Sequence, residues 1–141
     1  MDNNLIYRDL FKVIGKDFDG KKYEKTSRIL MQSFFNDVEL WLDIHSYYFP
    51  ITFSDMIIFG INIISDSNLT NVYNFVDKEF NNFKYLMSGV IFSIQTVKIT
   101  NIKKKIIHAS FGGLLMKLIL PYNSTKLFGI GMHILISISK I

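Results

Sequence analysis

The chain has 141 residues, 49% of them apolar and 15% aromatic, enough for one packed core and the reverse of the low-hydrophobicity signature of disorder. It has no cysteine, which excludes disulfides, thiolate metal sites and a cysteine nucleophile. The net charge is +4, and lysine supplies all but Arg8 and Arg28 of the sixteen basic residues, so recognition of phosphate by guanidinium forks is not favoured.

Period-2 patterning runs through the sequence. Tyr7 to Ile14 is the first strand-like run, and Asp17-Phe18-Asp19-Gly20 closes it with turn residues. Tyr23 to Ser33 reads as the second, ending at Asn36-Asp37. Val38, Leu40, Leu42 and Ile44 then alternate with Glu39, Trp41, Asp43 and His45, the pattern of a half-buried strand. After Phe49-Pro50 comes Met56 to Ile64, followed by turn residues from Ser65 to Asn68. Asn68 to Phe83 breaks the pattern: Leu69, Val72, Tyr73, Val76 and Phe80 fall at helical spacing, and the segment reads as one short helix or a partly ordered loop.

Tyr85 to Val97 is long and has Gly89 inside it, which predicts a sharp bend or bulge of the kind that turns a barrel corner. Thr100 to Lys104 is a turn, and Lys103-Lys104-Lys105 reads as its solvated tip. Ile106 to Phe111 and Leu114 to Leu120 are joined by Gly112-Gly113 alone. Two glycines can both take φ > 0, as a two-residue hairpin loop requires. After Pro121-Tyr122-Asn123-Ser124, Met132, Ile134, Ile136 and Ile138 alternate with His133, Leu135, Ser137 and Ser139. Eight or nine short strands with frequent turns predict an all-β sandwich or small barrel formed by residues 1–141 as a single domain.

Chemistry-bearing patterns are sparse. His45, His108 and His133 have no metal-ligand spacing. Asp17, Asp19 and Gly20 begin like a calcium loop, but Arg28 stands where the twelfth-position glutamate belongs. No phosphate-binding glycine loop, nucleophile elbow or dinucleotide fingerprint occurs. No cofactor, metal or catalytic residue is assigned, and the chain does not read as an enzyme. Asp2, Arg8, Asp9 and Lys12 interrupt the start, so no signal peptide is expected. The longest apolar run, Leu127 to Ile138, contains His133 and two glycines and falls short of the ~20 residues that span a bilayer. A soluble, intracellular protein with no membrane partner is the expectation.

One alternative rests on aromatics. Trp41, on the polar phase of its strand, could join Tyr47 and Tyr48 as a platform on which a single-strand-binding OB barrel stacks bases. Against that, no basic groove is evident.

Ser110-Phe111-Gly112-Gly113-Leu114-Leu115-Met116-Lys117-Leu118 closely resembles the signature near the C-terminus of the small OB-fold subunit shared by eukaryotic nuclear RNA polymerases I, II and III. Other blocks resemble that family in its order: Leu10-Phe11-Lys12-Val13, then Gly20, Tyr23, Lys25, Ser27, Arg28 and Ile29; Leu42-Asp43-Ile44 with Tyr48-Phe49-Pro50; and Tyr85-Leu86-Met87-Ser88-Gly89-Val90. The likeness omits only Ser65 to Asn82. It implies an antiparallel OB-type β-barrel of two half-barrels, with no catalysis of its own. It also implies a place in the nucleus on the outside of the polymerase, held mainly by the largest subunit and beside other polymerase subunits, with nucleic-acid contact indirect or weak. Two features depart from the family: a long acidic or polar insertion is reduced to Ser65 to Asn82, and the C-terminus lacks a basic ending. Exposed apolar hairpin residues usually mark a partner surface, so Gly112, Gly113, Leu114, Leu115 and Met116 are the candidate partner-binding residues. Leu114 and Met116 fall on one side of their strand, Leu115 and Lys117 on the other, and one set fills the barrel.

Overall fold

Apolar–polar alternation becomes eight β-strands: β1 (Leu5–Lys16), β2 (Ser27–Ser33), β3 (Glu39–Ile44), β4 (Met56–Ile63), β5 (Tyr85–Ile99), β6 (Ile102–Phe111), β7 (Leu114–Pro121) and β8 (His133–Lys140). A 3₁₀ turn, Tyr122–Ser124, follows β7. The computed structural model describes residues 5–18, 20, 25–64, 85–124 and 128–141. The short helix or loop expected over Asn68 to Phe83 and the start of the second predicted strand, Tyr23-Glu24, lie outside the described residues.

All pairings are antiparallel, and the strands close in the order β1-β2-β3-β7-β6-β5-β8-β4. The all-β barrel of the sequence reading is therefore present, with eight strands. Its order contains two successive Greek keys, β4-β1-β2-β3 and β8-β5-β6-β7. These two halves meet along the β3/β7 and β4/β8 seams.

The inward phase of each strand is filled. Phe11 and Phe59 meet edge-to-face at 5.7 Å, and Tyr7 tilts against both. Ile29, Met31, Leu40, Leu42, Ile107, Leu118, Ile136 and Ile138 are buried around them. Each such side chain contributes roughly 1.5–3 kcal/mol on leaving water. A small residue, Ala109, stands between Ile91 and Met116 on the flanking strands, as interdigitation in a narrow barrel requires. β8 departs from half-burial: Leu135 and Ser137, on its other phase, are also buried, as are Gly60 and Asn62 on β4. The Leu5 side chain reaches over Gly60 there.

Two sequence expectations are corrected in detail. Gly89 is not itself the bulge: the register shift in β5 falls between Ile91 and Ser93, making Phe92 the extra residue. The glycine is required by close approach instead, since a Cβ at position 89 would run into the Ser110 carbonyl and the Phe111 ring. It lies where β5 passes from pairing with β8 to pairing with β6, so its place at a barrel corner holds. The Lys103-Lys104-Lys105 run is not a hairpin tip. Thr100 and Asn101 form the tip, both with positive φ (49° and 64°), and the lysines are already in β6. Lys104 is mostly buried and pairs with Asp37 at 3.0 Å, while Lys103 and Lys105 lie over the Tyr122 ring at 4.6 and 5.2 Å.

Candidate functional site

The Gly-Gly hairpin is built as the residue types dictate. Phe111 pairs with Leu114 across a two-residue loop, and Gly112 and Gly113 have φ of +63° and +100°, the left-handed pair that a primed hairpin turn needs. From Leu114 onward the side chains alternate. Met116 is 1% exposed and Leu118 is fully buried, whereas Leu115 is 42% exposed. Leu114 is half-buried and packs against the core. Of the five candidate residues, Met116 is thus a core side chain that offers nothing outside the barrel, and Leu115 is the outward apolar one.

Two neighbouring strands give the hairpin a setting. β7 pairs with β3 only as far as Leu42–Met116. Beyond that point the Leu115 N–H, turned away from β6, donates to Asp43 Oδ2 at 3.0 Å. Asp43 also receives a two-pronged bond from Arg28, Nε to Oδ1 at 2.7 Å and Nη2 to Oδ2 at 3.0 Å. Arg28 and Asp43 stand directly opposite each other in the β2/β3 register. A side-chain carboxylate thereby completes the ladder where backbone pairing stops, and a guanidinium holds that carboxylate in place.

Aromatic rings wall the same region. Phe18, on the β1–β2 connection, lies over Gly15, where any Cβ would collide with its ring. It meets Trp41 edge-on at 5.7 Å, and the Trp41 indole N–H donates to Glu39 at 2.6 Å. Asp17 organises the turn beneath: its Oδ1 accepts from the Arg28 N–H at 3.0 Å, and its carbonyl from Gly20. The result is a cleft of about 300 Å³ bordered by Phe18, Arg28, Trp41, Asp43, Gly113 and Leu115. It is apolar at Phe18, Trp41 and Leu115, charged at Arg28 and Asp43, and low at Gly113, where no atom beyond the chain neighbours lies within 4 Å of the missing Cβ. Such a cleft can receive an extended side chain or a short stretch of polypeptide.

Gly113, Leu114 and Leu115 therefore come together with Trp41, while Met116 does not. Sequence reading missed Phe18, Arg28 and Asp43 as parts of this surface. A signal existed, since Arg28 and Asp43 both fall on the polar phase of their strands and oppose each other in sign. It becomes visible only once the β2/β3 register is known. Of the aromatics read as a platform, Trp41, Tyr47 and Tyr48, the two tyrosines are exposed. Trp41 is engaged by Phe18, whereas Tyr47 and Tyr48 meet each other at 5.2 Å, with Lys25 over Tyr47 at 5.5 Å.

The histidines are dispersed. His108 lies against Phe92 at 5.9 Å, and its pKa is lowered by burial and by the charge of Lys117. The His45 backbone N–H donates to the Tyr85 hydroxyl at 3.1 Å, while His133 is exposed at the start of β8.

Comparison with known proteins gives the surface a context. Residues 8–140 match the family model described as RNA polymerase Rpb8. A Dictyostelium discoideum protein named DNA-directed RNA polymerases I, II, and III subunit rpabc3 is 30% identical over 123 residues, 82% of each chain. The corresponding RPABC3 subunit of Schizosaccharomyces pombe is 29% identical over 116 residues, again 82% of each. An Arabidopsis thaliana relative, 28% identical over 123 residues, is named subunit 8B of DNA-directed RNA polymerases II, IV and V. A crystallised molybdate-binding protein, ModG, superposes on 99% of the chain, but a TM-score of 0.35 at 8% identity carries no argument about this one. With the family match spanning all eight strands, and the glycine hairpin, the Arg28–Asp43 clasp and the closed barrel inside it, the chain belongs to the Rpb8 family of RNA polymerase subunits.

Proposed function

We propose that this chain is a non-catalytic structural subunit common to the nuclear RNA polymerases I, II and III. In this reading it supports assembly and stability of the enzyme through contacts with the largest subunit. The observation that carries the reading is the family match over residues 8–140, supported by relatives named as subunits shared between polymerases. The structure supplies a surface suited to the role. Leu115, Gly113, the Phe18–Trp41 pair and the Arg28–Asp43 pair form one outward cleft, and its hairpin is held by hydrogen bonds within the barrel. A docking surface held rigid in this way loses little conformational freedom on binding.

Affinity purification through a tag on the full chain, followed by mass spectrometry, tests the assignment. Recovery of the largest polymerase subunits is the expected result. A functional tagged chain that recovers none of them from actively transcribing cells overturns it. Single-strand nucleic-acid binding would instead appear as micromolar affinity for oligonucleotides that falls steeply with added salt.

A further inference from the structure

Beyond the barrel wall, the β5–β6 hairpin leaves one strand edge open among the described residues. β5 pairs with β8 only from Tyr85 to Val90, while its pairing with β6 continues to Ile99. Past Ile91, which exchanges bonds with Gly131 and Met132, no other described strand lies beside β5. The two-residue tip fixes which groups are unpaired. Ile99 and Ile102 flank it as a hydrogen-bonded pair, so Lys98–Lys103, Thr96–Lys105 and Ile94–Ile107 are the non-hydrogen-bonded pairs of the ladder. The backbone N–H and C=O groups of Ile94, Thr96 and Lys98 therefore point out of the open edge, ready to pair with an incoming strand.

Lys98 is the charged side chain of the edge segment itself, and two more lysines of its face follow on β6, one strand further in. Lys98 stands directly opposite Lys103, in the type of pair that brings side chains closest, and like charges there are destabilising. Lys105 lies one step further on the same face, with Lys103 and Lys105 sharing the Tyr122 ring. None of the three has a carboxylate partner among the described residues, whereas their neighbour Lys104 has Asp37. The opposite face of the tip is apolar and exposed, with Ile99 and Ile102 paired across it.

We propose that this edge is a β-augmentation site: an extended segment of a partner polypeptide adds as a strand beside Ile94–Lys98. Its acidic side chains lie on the face of Lys98, with Lys103 and Lys105 one strand further in adding to the positive charge, and its apolar ones lie on the face of Val97 and Ile99. Backbone pairing supplies the affinity and the alternating side chains the selectivity. A second copy of this chain is disfavoured as the occupant, because its own edge segment, Phe92 to Ile99, brings another lysine and no carboxylate. Single-stranded nucleic acid would meet the charge, but it has no backbone amide ladder to match the edge, and ammonium groups already lie over Tyr122.

The inference rests on the subunit reading, and its test separates the two. Polymerase purified through a tag on this chain is compared with the isolated chain by hydrogen–deuterium exchange over residues 92–99. It is then treated with a zero-length carbodiimide, which couples amines to adjacent carboxylates. The expected result is exchange slowed about tenfold or more in the assembly, as added strand pairing gives. Coupling of Lys98 or Lys103 to Asp or Glu in a partner segment of alternating acidic and apolar residues is expected with it. Thr96→Pro removes one outward N–H at a position where an edge strand tolerates proline. It should keep the melting temperature of the parent while losing the protection. Lys98→Glu with Lys103→Glu should lower incorporation about tenfold. An assembled chain whose 92–99 segment exchanges as fast as in isolation overturns the proposal, as does cross-linking of these lysines to nucleic acid in place of carboxylates. Failure to recover any polymerase subunit overturns the subunit reading itself.

Discussion

Single residues with unusual backbone geometry carry much of this structure, and they yield clear tests. Gly113 has φ of +100° with nothing near its missing Cβ, so a valine there is opposed by backbone strain and not by collision. Gly113→Val should destabilise the chain by about 1–2 kcal/mol in chemical denaturation, with Gly113→Asn milder; an unchanged midpoint would mean that the turn is of another type. Thr100 is the converse case, a β-branched residue held at φ 49°. Replacing Thr100-Asn101 by Asn-Gly should raise stability by about 1 kcal/mol, since that pair suits the turn. The glycine turn could be read directly from the sequence. The second turn was found only as a loose segment, because Thr100-Asn101 is not a pair that advertises two left-handed residues. Asp55 gives a pH test. Burial raises its pKa, but the Thr52 N–H at 2.8 Å and the Lys140 ammonium at 3.4 Å outweigh that and hold it below the usual carboxylate value. The stabilisation it provides is present above the unfolded carboxylate's range and is lost as pH falls through the lowered folded value. Wild type should therefore exceed Asp55→Asn by no more than about 1 kcal/mol near neutrality, given the exposed setting. Thermal melts from pH 7 to pH 2 should show that gap closing on the acid side.

Among the elements, the β2–β3–β7 corner is where tertiary pairing made something that no segment contains. Arg28, Asp43 and the Leu115 N–H come from three strands, and Asp43 joins the other two. Asp43→Ala should cost about 2–3 kcal/mol, because it leaves a backbone donor unsatisfied beside a guanidinium. Arg28→Ala should cost less, since that side chain is half exposed. In a double-mutant cycle the two should couple, and additive losses would show that the clasp is not cooperative. Leu42-Asp43-Ile44 and Arg28 both stood out by resemblance, but not as partners. Polar residues on alternating phases reveal which face they occupy, whereas register decides which of them meet. The same limit explains Lys103-Lys104-Lys105: the charge run was plain, but not that Lys104 would find Asp37 while its neighbours would not.

At the scale of the whole molecule, β8 is the element that closes the barrel, pairing with β4 on one side and β5 on the other. Deleting residues 133–141 should abolish cooperative melting, because each half would then expose an unpaired edge and part of a shared core; a truncated chain that still melts in one sharp transition would contradict this. The filled interior also bears on function, since a barrel packed with Phe11, Phe59, Leu42 and Ile136 leaves activity to its outer surfaces. Strand identity, the inward phases and the glycine turn were determined by the sequence itself. They depend on contacts within one strand or across two adjacent residues, where side-chain period and backbone freedom are local properties. Closure into two Greek keys, burial of Met116 with exposure of Leu115, the Arg28–Asp43 clasp and the edge of β5 that no other described strand covers past Ile91 were decided only by the tertiary structure. Each of these depends on which distant strands lie side by side, and the free energy that selects that arrangement comes from the shared core, not from any one segment.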